Sequence, residues 1–351
     1  MSDYDVPTPQ ELLQSIYGKT EYLEVSDAIR ERSADFVKHH PNRSSTALAP
    51  SYLAQGPFET PIPTVAEIAA IFSASGEEKH CYKRVGPYLV EVGYHTYKQA
   101  ENLIYLAANS SVRIPKLYAA GTFKMPIKDQ EGPPIEHNYI VREYIEGERL
   151  RKLKEDEYLS KDIQKKIGKL LGEQIRRLRI VPAEVPGHFG RINGKPFTGL
   201  EPFLQRNLDS GYFRPFTYEG LVESMIQNIE IDEALELTLF EKSEYPTTDK
   251  MIFSSIRPTL INNQIIVKLV RNKEGKAVDV EEVAIADWDD LYWMPSWFQP
   301  GVVLYLDLEK SSGSIFNTAF LNMGPVNLGP VSFWGTSLNM ELALRVLHYE
   351  C

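Results

Sequence analysis

The sequence predicts an α+β protein of two lobes, a small antiparallel sheet with one long helix followed by a larger, mostly helical lobe. Three observations carry this. Two short β-rich runs, Cys81-Tyr-Lys-Arg-Val and Tyr88-Leu-Val-Glu-Val-Gly93, flank Gly86-Pro87 and read as a hairpin. Between residues 95 and 108, apolar groups at Ala100, Leu103, Ile104, Leu106 and Ala107 recur at helical spacing. Two further strands, 117–123 and 138–144, enclose an irregular turn with Pro133-Pro134. The resulting order, strand–strand–helix–strand–strand, is that of a small sheet crossed by one helix.

The remaining elements follow in chain order. Residues 1–65 form an N-terminal extension with one helix expected over 10–39, then a Ser/Pro-rich loop or wrap over 41–63. A short helix is expected over 65–73. The small lobe spans 66–145 and the large lobe 146–351. In the large lobe Ile167, Leu170, Leu171, Gln174, Ile175 and Leu178 line one side of a helix over 163–178. Helices are also expected over 218–240 and 338–347. The short apolar runs 251–253, 265–270 and 283–286 suggest a small buried hairpin between helices. No internal repeat is visible.

The 351 residues include 43% hydrophobic and 25% charged residues, ordinary for a globular protein with a sizeable core. The formal charge of −10 argues against nucleic acid or an anionic membrane as the main partner. The expected partner is a small-molecule ligand or substrate, with a protein partner left open. Cys81 and Cys351 show neither a disulfide framework nor zinc spacing and are expected to be free thiols. The polar, acidic start Met1-Ser-Asp-Tyr-Asp lacks a signal-peptide layout, and no run is apolar enough to span a bilayer. A cytoplasmic location is the expectation.

Six segments carry a more specific signal. In order they are Leu89-Val-Glu-Val-Gly, Gln99-Ala-Glu-Asn-Leu, Ile114-Pro-Lys-Leu-Tyr-Ala, Tyr139-Ile-Val-Arg-Glu-Tyr-Ile-Glu-Gly-Glu-Arg-Leu150, the pair Leu178-Arg-Ile-Val-Pro and Pro186-Gly-His-Phe-Gly, and Ile285-Ala-Asp-Trp-Asp-Asp-Leu-Tyr-Trp-Met-Pro-Ser-Trp297. Their order and spacing resemble the fungal branch of the aminoglycoside phosphotransferase family, relatives of choline kinases and protein kinases. The resemblance covers residues 82–300 and implies the kinase-like fold, with Glu143 and Tyr144 at the inter-lobe hinge and available to a ligand.

Phosphoryl transfer depends on positioning and charge neutralisation: a strand lysine on the phosphates, a helix glutamate holding it, a catalytic-loop aspartate, and an asparagine and aspartate on magnesium. The resemblance puts Glu91 at the lysine position, where a carboxylate repels phosphate. Gln99 falls at the partner glutamate, with Glu101 close enough to leave the helix register open. In the loop Phe253-Ser-Ser-Ile-Arg-Pro-Thr-Leu-Ile-Asn-Asn-Gln-Ile-Ile-Val-Lys268, Arg257 stands where the catalytic aspartate belongs. No Asp or Glu lies between Asp249 and Lys273, so no shift of alignment supplies the base. Asn262 or Asn263 matches the magnesium-facing asparagine, and Asp287 matches the metal-binding aspartate, with Asp289 beside it as a ligand-binding candidate.

These substitutions suggest a degenerate member, a pseudokinase with no cofactor. Its cleft carboxylates Glu91 and Asp287, with Arg257, would bind a small molecule or run non-phosphoryl acid/base chemistry such as cyclisation or isomerisation in secondary metabolism. Arg257 is equally expected to pair with Asp287 or another acid. The alternative is a Mg-ATP-dependent kinase using Lys79, Lys83 or Lys98 in place of the missing lysine, although Lys98 and Asp289 are expected to be solvated. A third reading is a scaffold with a filled cleft. Trp288, Trp293 and Trp297 are expected to pack the large lobe.

Overall fold

The structure is a computed structural model, and it describes residues 51–73, 81–93, 96–125, 135–156, 159–183, 189–195, 251–254, 265–289 and 291–295, with isolated positions at 14, 18, 19, 24, 315, 318 and 319. The expected helices at 10–39, 218–240 and 338–347, and Arg257, Asn262, Asn263, Lys79, Trp297 and Cys351, lie outside the described residues, as does the Cys81 side chain.

The small lobe is a five-stranded antiparallel sheet. In chain order its elements are β1 (Tyr52–Leu53), α1 (Val65–Ser73), β2 (Cys81–Val85), β3 (Tyr88–Val92), α2 (Thr96–Asn109), β4 (Leu117–Met125) and β5 (Ile135–Glu143), and the strand order is β1-β4-β5-β3-β2. The hairpin, helix and two-strand order is as the sequence predicts. β1 is not: it lies within the stretch read as a loop, and Tyr52 and Leu53 pair with Ala120 and Ala119. A two-residue strand in a Pro/Ser-rich setting has too few side chains to show a period of two. The β2–β3 turn needs Gly86, whose φ is 59°.

Strand alternation divides the sheet into two faces. Tyr88, Val90 and Val92 of β3, with Tyr139 and Val141 of β5, join Ile68 and Phe72 of α1 in one buried cluster. A capping box fixes the start of α1: the Thr64 N–H donates to Glu67 at 2.7 Å and the Glu67 N–H donates to Thr64 Oγ1 at 3.3 Å. Ala120 and Ile140 turn the other way and join the second cluster, which contains Ala100, Leu103 and Leu106 of α2 and runs on into the large lobe. Glu91 and Arg142 have the parity of this second face.

Beyond Tyr144, in the stretch expected to form the large lobe, come β6 (Glu148–Arg149), α3 (Leu150–Asp156), α4 (Lys161–Arg179) and β7 (Gly190–Arg191), then β8 (Met251–Ser254), β9 (Ile265–Arg271), β10 (Ala277–Ile285) and β11 (Tyr292–Pro295). Two three-stranded sheets form, β10-β9-β6 and β7-β11-β8. The expected hairpin is β9–β10, but 251–254 does not belong to it and pairs with β11 instead. Helix α4 is capped by Ser160, whose side chain accepts from the Ile163 N–H at 3.3 Å. Its face carries Ile163, Ile167, Leu171, Gln174, Ile175 and Leu178 into the core, while Leu170 is half-buried. Trp288 and Trp293 are buried in that core, as expected.

Two glycines permit close approaches. Gly147, at φ 138°, follows the inter-lobe connection, and a Cβ there would lie 2.7 Å from the Val267 carbonyl oxygen. A Cβ on Gly168 of α4 would lie 2.3 Å from the Ile315 carbonyl oxygen and 2.7 Å from Thr318 Cβ. In an exposed helix, alanine for glycine gains about 1 kcal/mol. Here the collision with backbone opposes that gain and outweighs it. Gly168→Ala is therefore expected to lower unfolding stability by about 1–3 kcal/mol, the usual range for overpacking. Urea unfolding checks this; an unchanged or raised midpoint is incompatible with the 315–318 segment packing on α4.

Candidate functional site

The site forms where the α2-facing side of the sheet meets the loop after β10. Glu91 projects from β3 and Arg142 from β5. Because Glu91 is paired with Ile140 and Leu89 with Arg142, the two charged residues are diagonal neighbours on one face. Both are buried, Glu91 at 5% and Arg142 at 6% exposure, and their closest approach is 3.3 Å. A carboxylate on a buried strand position demands a partner, and the alternation of Tyr139-Ile-Val-Arg places Arg142 to supply it.

Helix α2 contributes the next layer. Gln99 and Asn102 are three residues apart and share a helix face. Gln99 Nε2 donates to Asp287 Oδ1 at 2.8 Å. Asn102 Nδ2 donates to the carbonyl oxygens of Trp288 at 2.6 Å and Asp289 at 3.3 Å. The Asp289 N–H also donates to Asp287 Oδ1, at 3.3 Å. Glu101 points elsewhere, accepting from Arg191 at 2.5 Å and Lys195 at 2.6 Å, with the Arg191 guanidinium 5.6 Å from the Tyr97 ring centre. The structure thus settles the helix register: Gln99 faces the Asp287 loop, and Glu101 ties α2 to the β7 hairpin.

Asp287 is half-buried, and its carboxyl is held above the ordinary aspartate value of 3.8. Loss of hydration is the main cause and the charge of Glu91 the second; Arg142, Gln99 and the Asp289 N–H pull the other way. Glu91 and Asp287, far apart in sequence, are therefore electrostatic neighbours.

Several expectations change. Lys98, expected in solvent, is 1% exposed on the first turn of α2: its neighbours in the helix face the protein on both sides, so no solvated direction remains. Asp289, also expected in solvent, is half-buried, and its main-chain oxygen is taken by Asn102. Lys83 has the parity of Val90, so it points to the opposite face of the sheet, where it donates to the Ile71 carbonyl at 3.4 Å and lies 5.7 Å from the Phe72 ring centre. It is thereby removed from the cleft.

At the connection between lobes, Tyr144 follows β5 directly. Its N–H donates to the Pro87 carbonyl at 3.0 Å, and Arg84 lies over its ring at 3.9 Å. The Glu143 carboxylate accepts from Arg113 at 2.7 and 2.9 Å and from the Lys116 N–H at 3.1 Å. Arg113 also reaches Glu282 at 2.5 Å. Glu143, expected to be available to a ligand, is thus engaged in a bridge from the sheet through Arg113 to β10. Sequence reasoning missed Arg142, Arg113, Asn102 and the Arg191–Lys195 pair. Only Arg142 and Asn102 carried a usable signal, namely strand parity with Glu91 and three-residue spacing from Gln99.

The family resemblance implies a magnesium ion on Asp287, and the described residues around its Oδ1 do not fit one. An N–H donor, Gln99 Nε2, occupies the approach to Asp287 Oδ1, and the Asp289 N–H donates to the same oxygen. Glu91 is paired with Arg142. Among the described residues no group of three His, Cys, Asp or Glu side chains surrounds any point.

No family model matches the chain, and no curated protein matches it. Solved structures similar to it include a thermostable mutant of an aminoglycoside phosphotransferase in ternary complex with ADP and hygromycin B, at 10% identity over 80% of this chain and 98% of that one, with a TM-score of 0.38. WaaP in complex with acyl carrier protein is similar at 9% identity over 79% and 92% of the two chains, TM-score 0.37. Choline kinase LicA from Streptococcus pneumoniae is similar at 13% identity over 91% and 92%, TM-score 0.32. No residue role is carried across from superpositions this loose. Among the described residues no helix is long and apolar enough to cross a membrane.

A pH prediction follows from Asp287. Its raised folded-state value means that its contribution to stability is fully present below about 3.8 and is lost as pH rises through the folded value. Asp287→Asn retains an Oδ1 acceptor for Gln99 and removes the ionisation. Its Tm relative to the parent is expected to climb as pH is raised from below 3.8 through the folded value of Asp287. A difference that stays flat or falls across that range contradicts the assignment.

Proposed function

We propose that this chain is a kinase-fold protein that binds a small molecule between its lobes without using ATP. In this reading Glu91 and Asp287 form an acid–base pair. One carboxyl holds a proton that it can donate; the other, ionised, accepts one. Arg257, on the stretch between β8 and β9, would orient an anionic oxygen of the ligand. Asn262, Asn263 and Asp289 would line the same cleft, with Tyr144 at its hinge edge. Cyclisation or isomerisation of a metabolite is the reaction class such a pair serves, and a cytoplasmic pathway of secondary metabolism is its setting.

The observation that supports this most directly is the buried Glu91–Arg142 pair on the strand that should carry a phosphate-clamping lysine. A carboxylate fixed there opposes a triphosphate, and its neighbour Asp287 is pushed towards the protonated form. A second reading, a rearranged Mg-ATP kinase, draws support from Lys98, whose ammonium-bearing chain is buried at the start of α2.

Thermal unfolding separates the two. A ligand at one hundred times its Kd stabilises the native state by about 2.7 kcal/mol. Millimolar ATP with Mg²⁺ is expected to leave Tm unchanged. A rise in Tm accompanied by transfer of phosphate from ATP to a hydroxyl compound would overturn the proposal in favour of the kinase. A Tm screen of small carboxylic and enolic metabolites is expected to yield binders whose shift disappears in both Glu91→Gln and Asp287→Asn. Binders that stabilise parent and variants equally would remove this pair from the site.

A further inference from the structure

The contacts between α2 and the loop after β10 have the form of a coordination shell made of amide donors. Two side-chain amides three residues apart, Gln99 and Asn102, each 1% exposed, direct their N–H groups at three oxygens of consecutive residues: Asp287 Oδ1, the Trp288 carbonyl and the Asp289 carbonyl. These are the oxygens that a bound cation would gather.

The amide orientation decides between the two arrangements. Turned over, Gln99 Oε1 and Asn102 Oδ1 would face the loop oxygens, and a cation would have to lie between them. Oxygens sharing an octahedral magnesium at about 2.0–2.1 Å stand about 2.8–3.0 Å apart. The Asn102–Trp288 separation of 2.6 Å is shorter than that, and the Gln99–Asp287 separation of 2.8 Å is an ordinary hydrogen-bond length. As oriented, Gln99 Oε1 and Asn102 Oδ1 are buried and accept no hydrogen bond. Leaving a buried acceptor unpaired is costly, and that cost is borne so that the N–H side can meet the loop. The Asp289 N–H, donating to the same Asp287 oxygen, adds a further donor where a cation's partners would be acceptors.

We propose that helix α2 holds the Asp287 loop with its own amide donors in place of a divalent cation, and that Gln99 is the positioning residue that makes the loop metal-independent. This holds whichever reaction the cleft supports, so its test is kept separate from nucleotide. A glutamate at 99 would reverse the situation: the donor is lost, and a second carboxylate faces Asp287 Oδ1, which is ligand chemistry that magnesium and manganese accept.

The experiment is Mn²⁺ binding followed by electron paramagnetic resonance on the full chain without nucleotide, with Tm recorded in EDTA and in millimolar Mg²⁺. The parent is expected to leave the free-Mn²⁺ signal undiminished and to melt identically in both buffers. Gln99→Glu is expected to take up Mn²⁺ and to melt higher with Mg²⁺ than with EDTA. One Mn²⁺ bound by the parent and lost in Asp287→Asn overturns the proposal. A Mn²⁺ bound by the parent and kept in Asp287→Asn lies elsewhere and leaves it standing. Should Gln99→Glu fail to fold, the comparison of the parent with Asp287→Asn still decides.

Discussion

Everything at the centre of this molecule depends on one face of helix α2. The helix lies against the sheet through Ala100, Leu103 and Leu106. Its polar positions reach across to the large lobe, Gln99 and Asn102 to the loop after β10 and Glu101 to the β7 hairpin. An amphipathic helix normally gives its polar residues to water. Here both faces are used, so the helix is a joint between two bodies. The burial of Thr96, Lys98, Gln99 and Asn102 follows from that position.

The charges around the joint obey the same logic. A lone carboxylate on a buried strand costs several kcal/mol in desolvation, so Glu91 is tolerable only with a cation on the same face, which β5 provides in Arg142. Asp287 is a second carboxylate near the first, and Arg142 cannot fully neutralise both. Loss of hydration first, and the charge of Glu91 second, raise the proton affinity of Asp287. Among the described residues, Glu91 meets the Arg142 guanidinium and Asp287 meets the Gln99 amide.

How much of this could be read from sequence follows the range of the forces involved. The small lobe was legible because strand and helix periods are local: the hairpin about Gly86, α2 and the last two strands all stand where their apolar spacing put them. β1 was not, since two residues define no period, and its place is set by β4. At the site, family resemblance assigned Glu91 and Asp287 to one cleft, and the charge of Glu91 contributes to the raised proton affinity of Asp287. The solvated Lys98 was wrong because a helix wheel shows which residues share a face and not how many faces are covered. Arg113 illustrates the limit: it sits in the loop between α2 and β4, and nothing near it in sequence announces that it joins Glu143 to Glu282.

The bridge through Arg113 completes the account of how the two lobes keep one geometry. Arg113 lies at the far end of α2 from Gln99, and its N–H donates to Gln174 of α4 at 2.9 Å. Its guanidinium, held strongly protonated by Glu143 and Glu282, spans the last residue of β5 and a mid-strand residue of β10. Helix α2 is therefore fastened to the large lobe near both ends, by the Gln99 and Asn102 amides with the Glu101 ion pairs at its first turns and by an ion-pair network just beyond its last. The connection at Tyr144 and Gly147 is a third point, where the Pro87 carbonyl and the Val267 backbone close on the chain. Three separated points fix a plane, and rocking of the sheet about the Tyr144 connection would have to break one of the two α2 fastenings. Both fastenings contain charged pairs, Glu101 with Arg191 and Lys195 at one end and Arg113 with Glu143 and Glu282 at the other.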